Sequence, residues 1–355
     1  MPDISDATKR LLLGRPVRSE RLGHTLLPKR IALPVFASDA LSSVAYAPDE
    51  VLLTLSLVGA SALVVSPWVG VAVAVVMITV VASYRQNVHA YPSGGGDYEV
   101  ATENLGPTAG VTVASALLVD YVLTVAVSVS SGAQYAATAL PILRGHETEF
   151  AIVVVVLLTL INLRGVRESG TAFAIPTYLF MASIGALAVV GAIRYVAGTL
   201  PLAESAGFHL IPEAGYDAGL TGVAGGFLVL RAFASGSAAL TGVEAISNGV
   251  PSFQKPKSKN AATTLALLGG IAITMMLSIL LLSRATHLQL ADDPADQLLS
   301  GGTPVGSSYV QHPVISQLSA AVFGGRGVMY VVIAVVTGLI LVLAANTAFN
   351  GFPVL

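Results

Sequence analysis

Cysteine is absent from the chain, so neither a disulfide framework nor a thiolate metal centre can form. Charge is scarce as well: 11% of the 355 residues are Asp, Glu, Lys or Arg, against about 25% in soluble domains. With 54% hydrophobic residues and a mean hydropathy of +0.77, the deficit marks a polytopic membrane protein whose first partner is the lipid bilayer. Histidines are few and scattered. His24, His89, His146, His209, His287 and His312 fall in the tail and loops without an i, i+4 pairing to another ligand type, so there is no zinc motif. The many serines include no G-x-S-x-G elbow, and no basic, aromatic-rich surface is evident; both absences argue against an enzyme and against nucleic acid as a partner. No cofactor is expected.

What the chain does have is apolar length. Stretches of roughly 20 apolar residues, enough to span a bilayer, fall near 31–57, 66–84, 107–137, 149–163, 172–198, 220–247, 261–283 and 327–348. The fourth of these eight is short. The first thirty residues are basic, with Lys9, Arg10, Arg15, Arg18, Arg21, Lys29 and Arg30, and no cleavage-like site follows a short apolar stretch. They read as a cytoplasmic tail and not as a signal peptide. Together with Arg85, the Arg164/Arg167 loop and the Lys255/Lys257/Lys259 loop, the tail puts thirteen of the eighteen basic residues on one side. The opposite loops carry chiefly Arg144 and Arg284, which predicts a cell-membrane protein with a cytoplasmic N-terminus.

The first span contains FASDALSSVAYAPDE, Phe36 to Glu50, with Asp39 inside the apolar run. A mid-bilayer carboxylate costs on the order of 2.5 kcal/mol or more, so Asp39 is expected to face a cavity, a partner or a cation. Small residues surround it and Pro34 and Pro48 flank it, which predicts a break in the helix there. Phe233 to Glu244, FASGSAALTGVE, repeats part of this element in the sixth span. An offset of five spans makes the two copies run in opposite directions, the expectation for an inverted repeat of five helices with a broken first helix in each half. The corresponding division is a tail at 1–30, a first repeat at 31–198, an external loop at 199–219 and an incomplete second repeat, helices six to eight, at 220–355, with Leu355 read as the end of a fragment. YPSGGGDY, Tyr91 to Tyr98, lacks the strand and the Lys-Ser/Thr pair of a nucleotide loop and reads as a tight loop opening the third span. The segment from Asp292 to His312 is turn-rich, an external loop followed by a short surface helix before Gly324.

Three carboxylates thus fall within apolar spans. On the third, Asp120, Thr124 and Ser128 recur at i, i+4, i+8 and line one face, with Tyr121 beside the first. On the first, Asp39 and Tyr46 are two turns apart; on the sixth, Thr241 and Glu244 flank Gly242. Hydroxyls in such helices also bond back to their own carbonyls, and Arg231, earlier in the sixth span, is the structural alternative as a counter-ion. Asp49 and Glu50 read as gate or solvated residues. Three acids at one site of low dielectric cannot all be ionised without a bound cation or a bound proton. The hydroxyls of Tyr46, Thr124, Ser128 and Thr241 suit a weakly hydrated monovalent cation better than the clustered carboxylates of a divalent site.

On LPVFASDALSSVAYAPDE, YPSGGGDYEVATENLG, DYVLTVAVSVSSG and RAFASGSAALTGVEAISNGVP, the sequence resembles the amino acid, polyamine and organocation (APC) superfamily. Within it, the sequence looks like the KimA-type high-affinity potassium importers of the KUP family. The resemblance implies an all-α LeuT-type inverted repeat with broken helices one and six, and symport of potassium with protons. By motif position, potassium would lie at Asp39, Tyr46, Asp120, Thr124 and Thr241, with Tyr121, Ser128 and Glu244 completing the site and with Glu244, Asp39 and Asp120 as the proton-coupling candidates. It also implies a homodimer formed through a later cytoplasmic domain that senses cyclic di-AMP; helices nine onward and that domain are absent from this chain. The rivals are an amino-acid permease, which would bind a carboxylate at free amides where this chain has Ser38-Asp39-Ala40; a polyamine or organic-cation carrier, which would want more aromatics than Trp68 and scattered Phe and Tyr; and a non-transporting sensor or assembly subunit.

Overall fold

The structure is a computed structural model that describes residues 26–94, 96–163, 170–216 and 219–351. Most of the basic tail and the Arg164/Arg167 loop lie outside the described residues. Seven helical segments are long and apolar enough to cross a membrane: Lys29–Ser56, Ala60–Ala90, Pro107–Ala139, Ala174–Val196, Gly222–Asn248, Lys257–Ala285 and Val328–Phe349. The fourth expected span is the helix Glu147–Leu163, 17 residues as described. In chain order the elements are α1 (Lys29–Ser56), a 3-10 turn (Ala60–Val65), α2 (Ser66–Ala90), α3 (Asp97–Leu105), α4 (Pro107–Ala139), α5 (Glu147–Leu163), α6 (Gly170–Val196), β1 (His209–Leu210), α7 (Gly222–Gly236), α8 (Glu244–Asn248), α9 (Lys257–Ala285), α10 (Pro294–Gln297), β2 (Leu298–Ser300), β3 (Thr303–Pro304), α11 (Val314–Phe323) and α12 (Val328–Gly351).

α1 is the axis of the bundle. Its residues are buried almost without interruption from Ala32 to Ser56, against α6, α7, α9 and α12. Alanine and serine let these helices approach closely. The expected break in this helix does not occur, because the carbonyls that its prolines and polar residues affect find other partners. Pro34 has no N–H to give the Arg30 carbonyl, and the Tyr178 hydroxyl donates to that carbonyl instead at 2.8 Å. The Asp39 carbonyl accepts from Ser42 Oγ at 2.6 Å and Ser43 Oγ at 3.3 Å, and Ala45 O accepts from Tyr135 OH at 3.3 Å, a further tie of α1 to its neighbours. α1 therefore runs helical through Asp39.

The two related segments do run in opposite directions. Val51 meets Gly236, Ser43 bonds Thr241, Asp39 abuts Gly242 and Phe36 abuts Gly249. Contacts that fall in sequence on one helix and rise on the other define an antiparallel pair between Phe36 and Val51 of α1. α12 inserts beside α4, where Gly132 and Gly338 allow a close crossing: a Cβ on either would lie 3.6–3.7 Å from the other's carbonyl oxygen.

The face where α1 begins, the near face, carries Lys29, Arg30, Arg85 and the loop with Lys255, Lys257 and Lys259. YPSGGGDY also lies there, and it opens the additional helix α3, not the third span directly; Gly106, with φ +93°, separates α3 from α4. On the far face, the segments 199–221 and 286–313 are tied by the antiparallel sheet β1-β2-β3. The short helix expected at the surface before Gly324 is α11, and it is a core element: Val314, Ile315, Leu318 and Val322 are fully buried. Its apolar repeat at i, i+1, i+4 and i+8 faces α6, α9 and α12 instead of water.

Candidate functional site

Span six supplies the discontinuity that α1 lacks. α7 ends at Gly236, a 3-10 turn covers Ser237–Leu240, Thr241 is extended, and Gly242 takes φ +76° before α8 resumes at Glu244. A Cβ on Gly242 would fall 2.7 Å from Cγ and Oδ2 of Asp39 and 2.8 Å from the Ala40 nitrogen. Left-handed backbone and close approach together require glycine here. The unwound turn is thus pressed against the Asp39 carboxylate.

Asp39 is 7% exposed, and its Oδ1 has no hydrogen-bond partner among the described residues. One turn further on, Ser43 joins the two spans: its Oγ lies 2.6 Å from Thr241 Oγ1 and 3.0 Å from Tyr46 OH. Thr241 Oγ1 donates to Ala238 O at 2.9 Å, which holds the turn in shape. From α4, Tyr121 OH donates to Glu244 Oε1 at 3.3 Å. Asp120, half-buried, is close enough for its charge to act on Asp39, Tyr46 and Glu244. Thr124 and Ser128 are buried on the same helix, with Ser128 Oγ unpartnered, and neither hydroxyl bonds to the other six side chains.

Six of the eight candidate residues fall into two neighbouring groups, with Thr124 and Ser128 buried apart from them on α4. Asp39, Tyr46 and Thr241 gather around Ser43, while Tyr121 and Glu244 pair past the break, with Asp120 coupled to both by charge. No three Asp, Glu or His side chains among the described residues converge into a metal-holding set. One carboxylate amid hydroxyls is weak-field coordination, suited to a large monovalent ion. An unpartnered buried carboxylate oxygen and an unpartnered buried hydroxyl are the polar atoms that a desolvated cation would satisfy. Arg231 is exposed and forms no ion pair with these acids, so it does not serve as their counter-ion.

Some participants were not evident from spacing. Ser43 could have been found, since it sits four residues from Asp39 and three from Tyr46. Asp97, the first residue of α3, receives Tyr84 OH at 2.7 Å. Asp49 is not a solvated residue: its Oδ2 accepts from the Val314 N–H at 3.1 Å, at the N-terminus of α11. Glu50 is exposed. On the far face, Glu204 accepts from Arg326 at 2.8 Å and lies 2.8 Å from Nδ1 of His312, a buried ring. Burial pushes the Glu204 carboxyl up, but the hydrogen bonds to His312 and Arg326 outweigh it and leave the group below its ordinary range.

A bundle of membrane-crossing helices with buried carboxylates and hydroxyls around a broken helix is the architecture of a polytopic membrane protein. The chain belongs to the amino acid permease family, whose model matches residues 35–355. It is 40% identical over 350 residues to a protein named Potassium transporter KimA from Bacillus subtilis (strain 168), a match covering 97% of this chain and 52% of that protein. The chain therefore spans about half the length of this curated relative.

Proposed function

We propose that the protein imports potassium by symport with protons, with Asp39, Tyr46, Asp120, Thr124 and Thr241 holding the ion and with Tyr121, Ser128 and Glu244 completing the site. The observation that carries this reading is the buried, half-satisfied carboxylate of Asp39 inside an unbroken α1, held against the open turn of span six. An amino acid's carboxylate would need free backbone amides on helix one, and α1 has none at this point; an anion would also meet the charge of Asp39. The potassium named for the relative supports the same substrate. The lysines and arginines of the near face support a cytoplasmic position for that face in the cell membrane. Access alternates by movement of α8 and its flanking loops against α1. Amino-acid transport is the second reading, favoured by the name of the matching family.

The test is uptake of rubidium, as a potassium tracer, into proteoliposomes under an inward proton gradient. Gradient-dependent uptake that Asp39→Asn abolishes supports the proposal. Amino-acid counterflow without rubidium uptake overturns it.

A further inference from the structure

α11 lies between α9 and α12, beside the far end of the helix that carries Asp39, and the transport reading above leaves it without a task. Asp49 lies ten residues beyond Asp39 on the unbroken α1, about 15 Å nearer the far face at 1.5 Å per residue. Its Oδ2 accepts at 3.1 Å from the N–H of Val314, the first residue of α11. At the other end of α11, Arg194 of α6 donates to Val322 O at 2.8 Å. A carboxylate at the N-terminus and a guanidinium at the C-terminus both complement the helix dipole. Glu204 brackets the same helix from outside. His312, two residues before Val314, lies with Nδ1 2.8 Å from Glu204 Oε1, and Arg326, three residues after Phe323, donates to Oε2 at 2.8 Å. The neighbouring Ser205 Oγ donates to Gln317 Oε1 of α11 at 2.6 Å, while Gln317 Nε2 donates to His312 O at 2.8 Å. Ala203 N bonds Thr286 O at the end of α9 and Glu213 N bonds Leu57 O at the end of α1, so the segment that carries Glu204 is itself fixed.

α11 does not pack as a permanent core element does. Beside its apolar residues it buries Ser316, Gln317 and Ser319. Of the nine buried side-chain polar atoms that have no hydrogen-bond partner among the described residues, five belong to Asp49 or to the residues of α11 and its flanks: Asp49 Oδ1, Tyr309 OH, His312 Nε2, Ser316 Oγ and Tyr330 OH. Buried groups of this kind are paired with protein or with water, so water reaches the surroundings of α11 in at least one position of the helix. We infer that α11 is the far-face gate over the Asp39 site and that Glu204 is its latch: one carboxylate ties the lead into α11 and the turn after it to a fixed segment, and its release lets the helix swing out and admit water and the ion. This rests on the transport reading above, in which α8 serves the near face. Glu204 touches no cargo and acts as a positioning residue.

The measurements use the protein at its natural length. This chain contributes no cysteine of its own. Ser316 is 1% exposed and its hydroxyl has no partner to lose, so Ser316→Cys reports opening of the gate through its labelling by a membrane-impermeant maleimide in nanodiscs, where both faces are reachable. Glu204→Ala should raise the labelling rate at least about tenfold, one decade in the ratio of open to closed gate, and Glu204→Asp should restore most of the protection. Thr264→Cys, equally buried near the other end of α9, should stay protected in every background. Equal labelling of Ser316→Cys with and without Glu204 overturns the inference. Labelling of Thr264→Cys in Glu204→Ala also overturns it, because Glu204 would then support the whole bundle. In proteoliposomes, Glu204→Ala should lower the KM for rubidium offered at the far face by about two- to fivefold and lower kcat as well, since a larger fraction of the protein is open to that side and closure is harder; unchanged KM and kcat overturn the latch. Protein that moves no rubidium, yet shows this labelling pattern, supports the gate and refutes the potassium reading alone.

Discussion

Gly242→Ala tests the geometry of the site most directly, because the structure separates its cost into two parts. The first is backbone. At φ +76° an alanine forced into left-handed conformation loses about 1–2 kcal/mol. The second is contact. The new methyl would lie 2.7 Å from Cγ of Asp39, where ordinary contacts are 3.4–4 Å, so the carboxylate must withdraw by the better part of an ångström. Overpacking of that kind costs about 1–3 kcal/mol. Two control substitutions isolate the terms. Gly324, at φ +79° with open space around it, should lose only the backbone cost of about 1–2 kcal/mol on mutation to Ala. Gly226, inside α7 with no positive φ and nothing within 4 Å, should gain about 0.5–1 kcal/mol. Thermal unfolding in detergent should therefore rank Gly226→Ala above wild type, then Gly324→Ala, then Gly242→Ala. Rubidium titration should show at least about a tenfold loss of affinity for Gly242→Ala alone, since 1.4 kcal/mol of misplacement is tenfold. Wild-type affinity and stability in Gly242→Ala would refute the contact between the span-six turn and Asp39, and with it the assignment of Asp39 to the site.

Two further outcomes follow from the same structure. Ser43→Ala leaves Tyr46 OH and one face of Thr241 Oγ1 without their shared partner, and it should cost about 1–3 kcal/mol in unfolding experiments while weakening rubidium binding; an unchanged melting temperature would remove Ser43 as the link between spans one and six. At Glu204 the folded-state carboxyl is held below its ordinary value of 4.5. The stability it contributes is thus fully present above that value and lost as pH falls through the lower folded value. Wild type should lose melting temperature between pH 5 and more acidic solution, and Glu204→Gln should lose less across the same window; parallel curves would show that the far-face tie does not govern acid stability.

The sequence makes seven of the eight expected spans legible, because twenty apolar residues have few alternatives in a bilayer, while the fourth, Glu147–Leu163, has 17 residues as described. The antiparallel relation of spans one and six is also legible, since an odd number of crossings fixes relative direction whatever the packing. The break in the first span was misread for a physical reason. Proline removes a donor from the helix, but whether the helix then opens depends on a donor arriving from elsewhere. Tyr178, which supplies the donor that Pro34 lacks, belongs to α6, and no local pattern in the first span announces it. The buried α11 was misplaced in the same way, because a ten-residue apolar helix reads alike at a surface and in a core. Asp97 was hidden by a loop whose glycines look like turn chemistry until Asn248 is seen against them.

Under the proposed alternating access, an intact α1 beside a divided span six makes α8 the element that moves. A helix of five residues is far below the length that is stable by its own hydrogen bonds, so α8 keeps its shape through what surrounds it. Its supports include Ile246 in the apolar core, Tyr121 at Glu244, Asn248 on the glycine loop, and, just beyond it, the stack of Phe253 on Phe36 with ring centroids 5.4 Å apart. One of these four runs through the Glu244 carboxyl. A change in charge at that carboxyl therefore acts on the attachment of the whole α8 segment to the near face, while α1, buried along its length, has no comparable freedom. Ion occupancy beside Asp39 and closure of the near face meet at one side chain, three residues from the hydroxyl of Thr241 and two from the glycine that touches Asp39.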